Sequence, residues 1–206
     1  AEAAFKKAAD LDQHNADALL KLGQVEVAKG SPDQAIATYQ QALKNNPHEP
    51  MFYILMGELY ERKQDWADAK DAYQKALEIK PGNPLASNNL AYVMLQSGGN
   101  VDMALSLAQT ARRGMPDSPT AADTLGWVFY QKGAYQSAVD LFQEALKLGD
   151  KNKNPDEATV HYHLGLAYEK TGNNHLARQQ LERVLKIDPN YSQANEVKKQ
   201  LAQLKS

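Results

Sequence analysis

Residues 50–83 read PMFYILMGELYERKQDWADAKDAYQKALEIKPGN, and this stretch of 34 residues decides the fold. Its first half places Tyr53, Met56, Gly57 and Tyr60 at steps of three and four, the spacing that puts side chains on one face of an α-helix. Its second half repeats the device with Ala69, Tyr73 and Ala76, and it closes at Pro81. A proline lacks the amide proton and pushes its predecessor out of the α region, so the second helix stops there. The stretch predicts two amphipathic helices joined by a short turn.

The same columns recur on both sides. Gly23, Gly57, Ala91, Gly126 and Gly165 follow one another at intervals of 34, 34, 35 and 39 residues. Ala35, Ala69, Ala138 and Ala177 each stand twelve residues after their small residue, while Ala104 is displaced by one because Gly98-Gly99-Asn100 lengthens its turn. Tyr39, Tyr73, Ala108, Phe142 and Leu181 form a third column, and Ala42, Ala76, Ala111, Ala145 and Val184 a fourth. Pro47, Pro81, Pro116, Pro155 and Pro189 close the periods. A fixed period of this length marks a repeat architecture, in which each hairpin buries its apolar face only by stacking on its neighbours. Glycine inside a helix costs about 0.8–1 kcal/mol relative to alanine. Repeated four times, it implies a close approach in each hairpin, expected here between the glycine and the alanines of the second helix.

These columns are the ones by which the tetratricopeptide repeat (TPR) family is recognised, and the chain resembles that family over nearly its whole length. The resemblance implies an all-α, right-handed superhelical solenoid of antiparallel helix hairpins. The repeats fall at 16–49, 50–83, 84–118, 119–157 and 158–191. Residues 1–15 read as the second helix of a preceding repeat, with Ala1, Phe5 and Ala8 at the offsets of Ala35, Tyr39 and Ala42, so the chain is expected to be part of a longer protein. Residues 192–206 carry Ala194, Val197, Leu201 and Leu204 at helical spacing and read as a capping helix. Two departures stand out. Glu26 occupies the column of Tyr60, Met94, Phe129 and Tyr168, which puts the closure of the first hairpin in question, and GDKNKN at 149–154 is expected to form a longer solvated loop. The stretches NNLAYVM, ADTLGWVFYQKGAYQSAVDLFQEALK and VHYHLGLAYEKTGNNHLARQQLERVLKIDPNY are similar to the C-terminal repeats of bacterial TPR lipoproteins associated with exopolysaccharide export and exosortase systems.

Composition narrows the partners. Lys plus Arg number 23 against 25 for Asp plus Glu, so a net charge of -2 gives no field that would draw nucleic acid or anionic lipid. No apolar run approaches the roughly 18–20 residues of a membrane span, and residues 1–15 lack the layout of a signal peptide. The absence of cysteine rules out disulfide and thiolate chemistry and suits bacterial cytoplasm and periplasm equally.

Catalytic motifs are not found. There is no P-loop, GxGxxG, nucleophile elbow or HExxH, so no cofactor and no enzymatic activity are expected. His161 and His163, two apart on a helix, point to different faces and cannot share a metal; with His14, His48 and His175 they are expected at the surface. Glu58 and Glu61 are assigned by default to an exposed helix face.

Function is therefore sought on the row that the family resemblance places along the concave groove, where ligands lie as extended or helical peptides. Relative to each small residue this row holds Leu20, Ile54, Asn88, Asp123 and Tyr162 three before, Gln24, Glu58, Tyr92, Trp127 and Leu166 one after, and Val27, Glu61, Leu95, Tyr130 and Glu169 four after. Aromatic side chains with a polar tip bury large area while freezing few rotamers. Asn88, Tyr92, Asp123, Trp127, Tyr130 and Tyr162 are accordingly the expected partner-binding residues. The row argues against a clamp for a peptide carboxylate, because Arg62 and Lys170 are the only basic residues near it and lie far apart in the array. The reading that follows is a non-catalytic scaffold for a protein or peptide. The alternatives are a self-associating spacer and a carbohydrate-recognising module built on Tyr92, Trp127 and Tyr130.

Overall fold

The computed structural model describes residues 2–11, 15–152 and 156–204. Among them every regular element is an α-helix: α1 (Glu2–Leu11), α2 (Ala16–Ala28), α3 (Pro32–Asn45), α4 (Pro50–Arg62), α5 (Trp66–Ile79), α6 (Pro84–Gln96), α7 (Val101–Gly114), α8 (Pro119–Gln131), α9 (Tyr135–Asn152), α10 (Glu157–Lys170), α11 (Asn174–Ile187) and α12 (Ala194–Gln203). None of the described helices is long and apolar enough to cross a membrane.

The chain forms two compact units, Ala1–Gly98 and Gly99–Ser206. Within the first, each of α1 to α6 packs on the next and α4 also meets α6; within the second, α7 to α12 do the same and α8 meets α10. The first helices of consecutive hairpins thus lie side by side within each unit.

Local chemistry sets the helix limits. The helices α3, α5, α7 and α11 end at Asn45, Ile79, Gly114 and Ile187, each two residues before Pro47, Pro81, Pro116 or Pro189. Pro155 lies outside the described residues. At the other end, the side chains of Asn15, Asn83 and Ser118 accept hydrogen bonds from the amides of Ala18, Ala86 and Ala121 at 3.0, 3.1 and 3.2 Å. Pro84 and Pro119 sit in the first helical turn, where a missing amide proton costs nothing. Between the helices of the first hairpin Gly30 takes a left-handed φ of 79°, and Gln64 does the same at 59° in the second.

The four glycines are required by something other than the expected alanines. A Cβ built on Gly23 would lie 2.2 Å from the Tyr39 ring, on Gly57 2.5 Å from Tyr73, on Gly126 2.7 Å from Phe142 and on Gly165 2.9 Å from Leu181. The space is filled by the large side chain of the second helix, laid flat across the first. Ala35, Ala69, Ala138 and Ala177 are fully buried as well, but the glycine makes room for the ring. In the third repeat the corresponding columns hold Ala91 and Ala108, a methyl in each instead of a hydrogen and a ring.

Two further expectations are revised. Gly149 to Asn152 continue α9 and do not form a solvated loop; Lys153 and Asn154 lie outside the described residues. Nothing among Asp150, Lys151 and Asn152 stops a helix, and one glycine costs only about 1 kcal/mol. Glu26 does not loosen the first hairpin: only 3% exposed, its carboxylate accepts a hydrogen bond from the Thr38 hydroxyl at 2.8 Å, so a polar side chain closes the hairpin in the column where Tyr60, Phe129 and Tyr168 stand. At the far end of the second unit α12 packs on α11, Val197 is fully buried, and the Arg178 guanidinium donates to the carbonyl oxygens of Leu201 and Leu204, which the helix itself leaves unmet.

Candidate functional site

In the second unit Asp123, Trp127 and Tyr130 stand at steps of four and three along α8, so one face of that helix carries all three. The helix packed beside it, α10, supplies Tyr162 and His163. His163 is 5% exposed, and its Nδ1 lies 2.9 and 3.1 Å from the two carboxylate oxygens of Asp123. The imidazole stacks on Trp127 with centroids 4.3 Å apart and rings inclined by 17°. Trp127 also stacks on Tyr130 at 4.8 Å and 7°, and Tyr130 meets Tyr135 edge-on at 5.3 Å. Phe142, the ring that fills the space at Gly126, lies 5.5 Å from His163.

The histidine overturns the expectation of surface histidines. His163 stands two residues before Gly165, in the column of Asn89 and Thr124, and that column faces the preceding hairpin. Thr124 and His163 are among the buried polar residues, and Asn89 is half-buried and donates to the Tyr73 hydroxyl oxygen. The signal was present in the sequence as polar residues recurring in one helical column of the last three repeats. His161 is half-buried and turns the other way, its Nδ1 2.6 Å from Gln180 Oε1 on α11. His48 and His175 are exposed, and His14 lies outside the described residues.

Of the expected binding residues of this unit, Trp127 and Tyr130 are partly buried against the core with part of each ring exposed, and Asp123 is half-buried against His163. Tyr162 is 9% exposed and packs against Tyr191, with centroids 5.7 Å apart, so it belongs to the core more than to a surface. The Tyr130 phenol is pushed up to about 12 by burial, with Tyr135 and Glu169 adding to it, so its hydroxyl stays protonated and able to donate throughout the neutral range.

In the first unit the row is acidic and tied into the hairpin. Asn88 is 3% exposed and Tyr92 is half-buried. The default assignment of Glu58 and Glu61 to an exposed face does not hold, because both are half-buried on α4. Burial pushes Glu61 up to about 7, the Tyr73 hydrogen bond pulling the other way and the neighbouring charge of Glu58 pushing further. Burial raises Glu58 too, opposed by Arg62. The Asn88 Oδ1 and the Ser87 hydroxyl are buried without a hydrogen-bond partner, an arrangement that costs on the order of 1–3 kcal/mol per group.

A stability consequence follows for Glu61. A folded-state value raised from 4.5 to about 7 means that the group favours the folded state fully below about pH 4.5, and that this contribution is lost as pH rises through about 7. Glu61→Gln cannot ionise and keeps a carbonyl for the Tyr73 hydroxyl. It is expected to be more stable than the parent at pH 8.5 by on the order of 2 kcal/mol, and no more stable at pH 4.5. Urea unfolding midpoints at the two pH values measure this; an equal difference at both would show that Glu61 is not the titrating group.

Comparisons with known proteins agree with this architecture. Models of the tetratricopeptide repeat match residues 1–50, 20–84, 62–127 and 158–191, and a TPR repeat model matches 126–172. Anaphase-promoting complex subunit 3 of Schizosaccharomyces pombe is 29% identical over 71% of the chain, and the TPR repeat-containing protein PA4667 of Pseudomonas aeruginosa is 26% identical over 72%. The chain spans 22% and 29% of the length of these two relatives. Among solved structures, the TPR protein YrrB, described as having an unusual peptide-binding site, is 23% identical with a TM-score of 0.67, covering 97% of this chain and 100% of its own. Cut9, in the APC/C hetero-tetramer Cut9–Hcn1, superposes with a TM-score of 0.80 at 20% identity over 100% of this chain and 39% of its own. With repeat models matched from residue 1 to 191 and two helices in every repeat, this chain belongs to the tetratricopeptide repeat family.

Proposed function

We propose that the chain is a non-catalytic protein-interaction scaffold that binds a segment of a partner along the first helices of its hairpins. The observation that carries this is the pair Trp127 and Tyr130, which remain partly exposed while the contacts with His163 and Tyr135 already hold their rings in place. Anchors ordered before binding lose little rotamer freedom when a partner arrives, so the area they cover converts efficiently into affinity. Asp123 contributes by holding His163 against the indole. Tyr162, being core, supports the site from beneath. In the first unit the half-buried Tyr92 stands at the position corresponding to Trp127. The peptide-binding site named for YrrB, and the multiprotein complexes named for the relatives, point to the same class of activity. A sugar ring would need an open indole face, whereas Trp127 is stacked on two rings of its own protein, which argues against the carbohydrate reading.

The test uses Tyr92→Ala together with Tyr130→Ala, one change in each unit, at residues that leave the buried His163 stack in place. A pull-down from an extract of the source organism, read by mass spectrometry, is expected to show a protein retained by the parent and lost at least about tenfold by the variant, with helicity unchanged by circular dichroism. Identical retention by both would reject these aromatics as the binding row.

A further inference from the structure

The first unit contains four side chains linked end to end. Asn88 Nδ2 donates to Asn89 Oδ1 at 3.2 Å, Asn89 Nδ2 donates to the Tyr73 hydroxyl oxygen at 3.3 Å, and the Tyr73 hydroxyl donates to Glu61 Oε1 at 2.5 Å. Every link donates in the same direction, toward the carboxylate. An ionised carboxylate only accepts, so the single hydroxyl proton of Tyr73 must point at it, and the phenol oxygen must then be met by a donor. That requirement turns the NH2 of Asn89 toward Tyr73 and its carbonyl toward Asn88. The NH2 of Asn88 must then face Asn89, which leaves Asn88 Oδ1 at the open end, where it is buried without a partner.

Protonating Glu61 from solvent lifts that requirement, because a neutral carboxyl can donate as well as accept, and it opens the reverse arrangement. The neutral carboxyl donates to the Tyr73 oxygen, the hydroxyl turns to the carbonyl of Asn89, and both amides rotate by a half turn. The Asn88 NH2 then becomes the open end. Tyr73 holds its own proton throughout, since burial and the adjacent Glu61 push its phenol far above the ordinary range.

The groups around Glu61 leave it free to act in this way. On α4 the charged neighbours are Glu58 and Arg62, the latter acting on Glu58. From α5 comes Tyr73; from α3 comes Tyr39, itself pushed up to about 12 by burial, Glu26 and Glu58. The sequence of α6, PLASNNLAYVMLQ, brings no charged residue, its one titratable side chain being Tyr92. Among the described residues no cation acts on Glu61 to hold it ionised, and burial pushes it up to about 7.

We propose that these four side chains form a polarity relay: the protonation state of Glu61 sets, through Tyr73 and Asn89, whether the buried Asn88 side chain turns its carbonyl oxygen or its NH2 toward the unpartnered end of the chain. The relay rests on the four side chains alone and is independent of the scaffold reading above.

The relay is tested on the free chain by following the side-chain NH2 resonances of Asn88 and Asn89, and the carboxyl carbon of Glu61, by NMR from pH 5 to 9. All three are expected to titrate with one midpoint. In Tyr73→Phe, Glu61 is expected to titrate still while Asn88 stays flat, and in Glu61→Gln both amides are expected to stay flat. An Asn88 signal that does not move in the parent while Glu61 titrates would overturn the relay, whether or not either variant folds. So would an Asn88 signal that still titrates in Tyr73→Phe. A flat Asn88 would leave the scaffold reading standing, whereas a pull-down insensitive to Tyr92 and Tyr130 would leave the relay standing.

Discussion

Gly57→Leu is expected to lower the stability of the first unit by at least about 3 kcal/mol, toward the upper end of what overpacking a core costs. A bare Cβ at this position would lie 2.5 and 2.6 Å from ring carbons of Tyr73, well inside van der Waals contact. The ring cannot swing away, because Tyr73 is fully buried and its oxygen is held by both Glu61 and Asn89. Leucine recovers about 0.8–1 kcal/mol of helix propensity relative to glycine, too little to offset the overlap. Gly165→Leu provides the comparison. There a Cβ would lie 2.9 Å from Cδ2 and Cγ of Leu181 and in ordinary contact with the Ala177 carbonyl oxygen at 3.5 Å, and an aliphatic side chain has no hydroxyl to anchor it, so the penalty should be smaller. Thermal and urea unfolding of the two variants measure the difference, and equal losses would mean that the anchored Tyr73 hydroxyl adds nothing to the rigidity of its ring.

Phe142→Ala is expected to destabilise the second unit by about 3–5 kcal/mol, the cost of removing a fully buried aromatic ring. The ring fills the space over Gly126 and lies beside His163, so the loss reaches the Trp127 stack. Adding Gly126→Ala to this variant is expected to restore about 1 kcal/mol through helix propensity, since the new methyl enters the space the ring has left. In the parent the same Gly126→Ala should destabilise, its Cβ lying 2.7 Å from Phe142. A double-mutant cycle read by unfolding free energies should therefore show the sign of Gly126→Ala reverse. Purely additive effects would show that glycine and ring do not share one space.

The exchange of glycine-plus-ring for alanine-plus-alanine was visible in the sequence: four repeats pair a glycine with a large residue, and the third pairs Ala91 with Ala108. Reading the glycine as a place of close approach needed only its cost in a helix. Assigning the neighbour was harder, because Ala69 and Tyr73 lie one turn apart on the same face of α5 and either satisfies the spacing. Side-chain direction decides between them. A ring long enough to lie across the opposite helix reaches the glycine, while the alanine brings the two backbones together.

The candidate site divides in the same way. Sequence spacing placed Asp123, Trp127 and Tyr130 on one helix face, and the structure has them there. It missed His163, and it took Tyr162 for surface, because both belong to α10 and their surroundings come from α8, α9 and the segment before α12, which are 20 to 40 residues away in sequence. The surroundings of Glu61 were missed for the same reason: a carboxylate one turn from another reads as a solvated face until Tyr73 of the next helix is laid over it.

The sequence by itself determined the repeat, the helix hairpins, their stops at proline and the absence of any room beside four glycines, because each of these follows from periodicity and backbone chemistry within some 34 residues. Only the tertiary structure decided which polar side chains are buried and what they meet. Asn88, Asp123, His163 and Glu61 read alike as hydrophilic positions on helices. What separates them is the desolvation and hydrogen bonding imposed by neighbouring helices, a property of packing that no single helix carries.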